Sequence, residues 1–402
     1  MRPWRRAQVD PASSGPVLVV GAGFGGAVMA ERLATAYGVP SLVIDRRPHL
    51  GGMAHDRQDE WGNFVHSYGP HYFRTNSDRV KDYLSQFTEW TPCEYRAAAM
   101  VEGRVLPFPV NLDTFEALTG EPATPESMAE TLAAWREDFP DPQNSEELVL
   151  SQVGRRLYDL FYAGYTRKHW GKPASELHVS VCGRIPVRTT RDRRYLVERF
   201  QAVPSDGYTA LFERLLAHPL IDVRLETDLT DALERAPVPF RHVVYTGALD
   251  ELYGYALGPL EYRSVRWETT TAPVEFLLPE MQVNYPNDGD YTRRLEFKHA
   301  LPHRRTSGTT VVTEFPEDWC PGKVPYYAMP TPDARAAYAR YRALADAEPT
   351  LTVLGRIGSY VNYNMDQVTA QALSLSDELG LTLQATSASG APSSHRRGDE
   401  RS

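Results

Sequence analysis

Residues 16–20 (PVLVV) make a short, wholly apolar, β-branched run, the pattern of a strand buried on both faces of a parallel sheet. A glycine cluster follows, then a helix-forming stretch over 27–37 and a second apolar strand at 41–44 (SLVI) that ends at Asp45. Strand, helix and strand in that order predict a βαβ opening. Between 124 and 170 the period lengthens: Leu148, Leu150, Val153, Leu157, Leu160 and Phe161 recur at helical spacing, which predicts an α-helical insertion. Strand-like runs return at 221–225 (IDVRL) and 242–245 (HVVY), with further strands expected within 263–278, 291–297 and 309–313. A last helix is expected to begin near Asp366 and to cover 368–379. Pieces of one sheet thus flank a helical block and a mixed strand region, and that interleaving predicts discontinuous domains.

The polar ends change the picture little. Residues 1–15, polar and with Pro and Ser, read as a loose, disordered leader. Residues 386–402 (TSASGAPSSHRRGDERS) cannot bury a core, and their composition predicts disorder. The 402 residues suffice for two or three domains. A net charge of −9 argues against a general nucleic-acid partner, though not against arginines gathered round a small anion. Cys93, Cys182 and Cys320 are too few and too scattered for a disulfide framework or a metal site, which fits a reducing, cytoplasmic setting. No run approaches the ~20 apolar residues of a membrane span, so no membrane partner is expected.

The chemistry begins at 21–26 (GAGFGG), a GxGxxG fingerprint standing between a strand and a helix. Gly21 permits the tight turn, Gly23 lets the backbone approach a pyrophosphate, and Gly26 lets helix and strand pack closely. The helix N-terminus offers unpaired N–H groups to phosphates. Asp45, at the end of the second strand, is placed to accept from ribose hydroxyls.

The segment 46–54 (RRPHLGGMA) resembles the second glycine pair of flavoproteins, among them the amine oxidases, and turns the cofactor expectation to FAD. From there the chain resembles the UDP-galactopyranose mutase family over about 16–382. The stretch 66–76 (HSYGPHYFRTN) is similar to that family's HxYGxHxFHTN. The segments 106–115 (LPFPVNLDTF), 164–170 (GYTRKHW), 184–188 (RIPVR) with Tyr195, 204–209 (PSDGYT) and 245–247 (YTG) follow in order. Asn284, 291–293 (YTR), 325–327 (PYY), and Gly355 and Arg356 leading to Tyr360 and Met365 complete the series.

The resemblance implies an α/β fold: a Rossmann-like FAD-binding domain (16–95, 205–260 and 345–385), an inserted helical substrate-lid domain (116–180), and a mixed antiparallel sheet domain (96–115, 181–204 and 261–344). It implies an isomerase that interconverts the pyranose and furanose forms of a nucleotide-diphosphate hexose, UDP-galactose first, through an adduct between N5 of reduced FAD and the sugar. Arg184, Arg293 and His71 are then the expected catalytic residues. The flavin site would comprise Gly21, Gly23, Phe24, Gly26, Asp45, Arg46, Gly52, Met53, His66, Tyr68, Gly247, Arg356, Asn364 and Met365. The nucleotide sugar would meet Asn111, Phe161, Tyr165, Trp170, Arg184, Tyr195, Asn284, Arg293, Tyr327 and Asn362, with Tyr326 as an alternative to Tyr327. Phe161 and Tyr165 would lie against the base and Trp170 on a mobile covering loop. Metals are not expected, and a homodimer is. Arginine suits this ligand because its fork gives paired, charge-assisted bonds to phosphate.

The last segment departs from the family, which carries a second tyrosine and an aspartate where this chain has Asn362 and Asn364. That leaves open a GDP- or dTDP-hexose as substrate, a flavin oxidoreductase of amine-oxidase type, or an inactive nucleotide-sugar-binding relative.

Overall fold

The computed structural model describes residues 4–5, 7–183 and 185–389, the side chains of 386–389 excepted. The first apolar run forms the strand Val17–Val20 at the centre of a five-stranded parallel sheet. Across the sheet the strands are Ile221–Arg224, Ser41–Ile44, Val17–Val20, His242–Tyr245 and Leu351–Val353. Period-two alternation divides each strand between two cores. Val17 and Val19 pack with Val43 and Val244 under the helices Phe24–Tyr37 and Met365–Ser389, while Leu18, Leu42 and Ile44 join Tyr341 of the helix Pro332–Asp346 on the other face. Each fully buried aliphatic side chain contributes about 1.5–3 kcal/mol. The first helix begins at Phe24, three residues ahead of the expected start, because the glycine loop turns straight into it, and it stops at Gly38 in the left-handed region (φ 64°).

Residues 4–15 correct the expectation of a loose leader. Trp4 and Val9 are buried, and Val9 bridges in parallel to Phe240, whose carbonyl accepts from Asp10 N–H at 2.8 Å. Two apolar anchors hold a segment whose composition is otherwise polar. At the other end the final helix reaches Ser389, past the boundary expected at 386; residues 390–402 lie outside the described residues.

A second sheet has seven strands, in the order Tyr327–Ala328, Tyr262–Ala272, Thr309–Asp318, Arg293–Leu295, Gln282–Asn284, Ala97–Val101 and Arg104–Phe108. Its pairings are antiparallel except that of Gln282–Asn284 with Ala97–Val101. The three expected strand regions here shrink or shift to Tyr262–Ala272, Arg293–Leu295 and Thr309–Asp318. No helix among the described residues is long and apolar enough to cross a membrane, and no group of His, Cys, Asp or Glu there could hold a metal.

The helical block consists of Leu112–Thr119, Pro125–Trp135, Ser145–Leu157 and Gly164–Trp170, joined before the last by a π-helical turn, Tyr158–Ala163. The expected unbroken periodicity hides a kink at Gly154, which has φ 76° and ψ 174°. A Cβ there would stand 2.0 Å from the Trp135 carbonyl oxygen, so neither the backbone nor the space admits a side chain. Gly154→Ala is therefore expected to destabilise the protein by about 2 kcal/mol or more. Denaturant unfolding followed by circular dichroism tests this; a midpoint equal to that of the unsubstituted chain would contradict it.

Candidate functional site

The carboxyl ends of the parallel strands open onto a cavity of about 1760 Å³. That exceeds the ~300–1,000 Å³ typical of a pocket for one small ligand. Gly21 has φ 110°, and a Cβ on it would lie 2.1 Å from Thr246 Oγ1; a Cβ on Gly26 would lie 1.9 Å from the Gly21 carbonyl oxygen. Gly21 makes the turn and Gly26 seats the helix on the strand, so Gly26 stays behind the cavity wall. Gly23 differs. Its φ is an ordinary −86°, and a Cβ would meet nothing nearer than Gly52 Cα at 3.6 Å. The protein itself tolerates a side chain at Gly23; the space it leaves open is a cradle facing the first helical turn, whose N–H groups have no intrahelical partners. Opposite lies the second glycine pair, with Gly51 at φ 87° and Gly52 at φ 56°. Two glycine walls facing each other at a helix N-terminus fit the diphosphate of a dinucleotide.

Asp45 is buried and ties this cradle together, one oxygen accepting from Ala22 N–H at 3.0 Å and the other from Arg47 N–H at 2.9 Å. Each carboxylate oxygen keeps a second acceptor position. Arg46 stands at the rim, paired with Glu251 at 2.8 Å. Phe24, Met53, Gly247, Asn364 and Met365 line the same cavity.

At the far end Arg293 enters from its strand. Antiparallel register puts it opposite Glu314, and Nη2 donates to Glu314 Oε2 at 2.8 Å and to the Tyr327 hydroxyl at 3.3 Å. Burial opposes the charge on Arg293, but the fully buried Glu314 carboxylate outweighs it and raises the pKa. Arg356 has no such partner: among the described residues no carboxylate or hydrogen-bonding group meets its guanidinium, whose Cζ lies 5.0 Å from the Tyr326 ring centre and 4.7 Å from that of Tyr327. It presents an uncompensated cation to the cavity.

His71 lines the cavity between these two arginines. Its Nδ1 lies 3.0 Å from the Gly69 carbonyl, to which it can only donate, so Nε2 carries the lone pair. Burial first, then Arg356 and Arg293, push its pKa down to about 4, and the ring is neutral. His66 and Tyr68 do not line the cavity. The Nδ1 of His66 accepts from His71 N–H at 3.1 Å, and the Tyr68 carbonyl accepts from the Tyr326 hydroxyl at 2.5 Å. Both residues support the loop that carries His71.

Among the residues expected to meet the sugar nucleotide, Trp170, Tyr195, Arg293, Tyr327 and Asn362 line the cavity. Trp170 ends a helix instead of riding on a loop, buried with its ring centre 5.6 Å from that of Tyr327. Asn111, Phe161, Tyr165 and Asn284 do not line it. Asn111 caps the helix Leu112–Thr119 by accepting from Thr114 N–H at 3.0 Å; Phe161 stacks on Phe108; Asn284 accepts from Gln282 Nε2 at 2.8 Å; Tyr165 stacks on His169. Asn362 spends its amide on the backbone of Ala328, accepting from N–H at 3.1 Å and donating to the carbonyl at 3.0 Å. Arg184 lies outside the described residues. Glu314, Gln282, Arg74 and Glu198 were not anticipated; cross-strand partners of this kind leave no local pattern to find.

A family model described as UDP-galactopyranose mutase matches residues 160–362, and one described as an NAD(P)-binding Rossmann-like domain matches residues 19–87. The chain is 34% identical over 365 residues to a probable UDP-galactopyranose mutase of Klebsiella pneumoniae, covering 90% of this chain and 94% of that one. It is 32% identical over 363 residues to a dTDP-fucopyranose mutase of Escherichia coli, covering 89% and 96%. Its fold superposes on a crystal structure of reduced UDP-galactopyranose mutase with a TM-score of 0.74 at 16% identity, over 92% of this chain and 94% of the other. With a Rossmann-like cradle at one end of its cavity and a buried arginine pair at the other, the chain belongs to the UDP-galactopyranose mutase family.

Proposed function

We propose that the protein is an FAD-dependent mutase that interconverts the pyranose and furanose forms of a nucleotide-diphosphate hexose, with UDP-galactose as the first candidate. A dTDP-hexose is the second, favoured by the likeness to the Escherichia coli dTDP-fucopyranose mutase. The observation that carries the reading is the continuity of one cavity from the dinucleotide cradle at Gly23 and Gly52 to Arg293, Tyr195 and Tyr327.

The glycine walls, Asp45 and the helix N-terminus would hold FAD, with Arg356 and His71 toward its ring system. When bound and reduced, FAD supplies the nucleophile for the anomeric carbon of the sugar. Arg293, with Tyr327 and Tyr195, would hold the diphosphate and offset the charge that grows on it as the anomeric bond weakens. Glu314 keeps that guanidinium aimed, and its carboxylate leaves the pair no net charge to trap the diphosphate. Neutral His71 offers Nε2 as an acceptor to a sugar hydroxyl. Trp170 and Tyr327 exclude water. Ring reclosure through the 4-hydroxyl in place of the 5-hydroxyl gives an isomer of unchanged mass.

Anaerobic incubation of the dithionite-reduced protein with UDP-, GDP- and dTDP-galactose, read by chromatography, is expected to yield an isomer that the oxidised protein does not form. Failure to retain flavin after reconstitution, or consumption of an electron acceptor at each turnover, would overturn the proposal. Arg293→Lys keeps a cation for Glu314 but loses the fork. It is expected to weaken nucleoside diphosphate binding about tenfold by calorimetry, with the unfolding midpoint preserved. Arg356→Ala should make bound flavin harder to reduce, by about 30 mV or more for a two-electron couple, because reduction then adds negative charge without its facing cation. An unchanged potential would place Arg356 away from the flavin.

A further inference from the structure

Two departures from the family motifs meet in space. The stretch 66–76 follows HxYGxHxFHTN except at Arg74, where the motif has histidine, and Asn364 stands where the family carries aspartate. The strand Phe73–Thr75 and the turn before the helix Met365–Ser389 bring them together, and Arg74 Nη2 donates to Asn364 Oδ1 at 3.0 Å. The carboxylate of Glu198 lies 3.1 Å from Arg74 Nε. All three line the cavity.

The exchange reverses what this wall offers. An aspartate presents acceptors alone, whereas a guanidinium presents donors alone. Asn364 turns its oxygen to Arg74, and its Nδ2 has no partner among the described residues. The guanidinium keeps N–H groups beyond those facing Asn364 and Glu198. A wall of donors is satisfied by an oxygen that only accepts, and it is left with unpaired N–H groups by a ligand lacking one. Two such oxygens occur on hexoses: a carboxylate and an acyl carbonyl. The charges decide between them. Glu198 already balances Arg74, and Asp366 lies close enough to feel both, so an added carboxylate would enter beside two others.

Resting on the mutase reading above, we propose that Arg74 and Asn364 form a donor pair that selects a nucleotide hexose bearing an acetamido group, whose carbonyl oxygen the pair receives.

The test is a displacement titration on the FAD-loaded full chain with UDP, UDP-galactose, UDP-N-acetylgalactosamine and UDP-galacturonate, and with the dTDP-sugars if UDP itself binds weakly. It compares the unsubstituted protein with Arg74→His and with Arg74→His/Asn364→Asp. The acetamido sugar is expected to bind about tenfold tighter than its galactose counterpart. That advantage should fall to within about twofold in Arg74→His and reverse in the double variant, with affinity for the bare diphosphate alike in all three. An equal preference in all three proteins, or a preference for galactose in the unsubstituted one, would overturn the proposal. So would tightest binding of galacturonate, which would assign the pair to a carboxylate. A loss of diphosphate affinity parallel to the loss of preference would show that Arg74 merely holds the wall in shape. Preference without isomer formation in the reduced protein would sink the mutase reading and leave the donor pair standing.

Discussion

In-register parallel pairing sets Val20 beside Ile44 and Tyr245, and Tyr245 beside Val353, so these four strands end at one level. The residues next in line, Gly21, Asp45, Thr246 and Leu354, therefore leave the sheet together, and each opens a loop at the cavity. Ligands of open parallel sheets sit outside the carboxyl ends for this reason. Slipping one strand by a residue would turn its side chains to the opposite core and carry its loop out of line. The close fit of Gly21 against Thr246 depends on that level, as does the bond from Ala22 to Asp45.

Charge is settled differently at the other end. A carboxylate as buried as Glu314 is costly alone, and breaking such a pair by removing one partner costs about 3–5 kcal/mol. The Thr292 hydroxyl donates to it at 3.1 Å, so the carboxylate is held from two sides and passes that order to Arg293. Arg356, by contrast, rests on tyrosine faces and keeps its charge unspent. One arginine is fixed and neutralised; the other is fixed and left for a ligand.

The dinucleotide cradle was legible because its physics is local: a turn, a helix start and an acid within thirty-odd residues of chain. The sheet region was legible only in part. Ala97–Val101 has too little side chain to advertise burial, and Glu314 gains meaning only once the register opposite Arg293 is known. The same holds for Arg74 and Asn364, which are 290 residues apart. The residues 4–15 misled for the opposite reason, since average polarity concealed two apolar anchors. Asn111 and Phe161 carry the right residue types in the right order, but capping and stacking within the helical block account for both side chains.

The amide of Asn362 imitates a peptide group. By giving to the Ala328 carbonyl and taking from its N–H, it continues the sheet with a side chain in place of a strand. For the history of this sequence that amounts to a ratchet. A tyrosine arriving at 362 would not simply regain a phenol; it would first have to surrender two bonds that now fasten the loop after Arg356 to the second sheet. Once the amide had taken that role, the route back to the family's residue ran uphill, and new recognition had to be found at other positions along the wall.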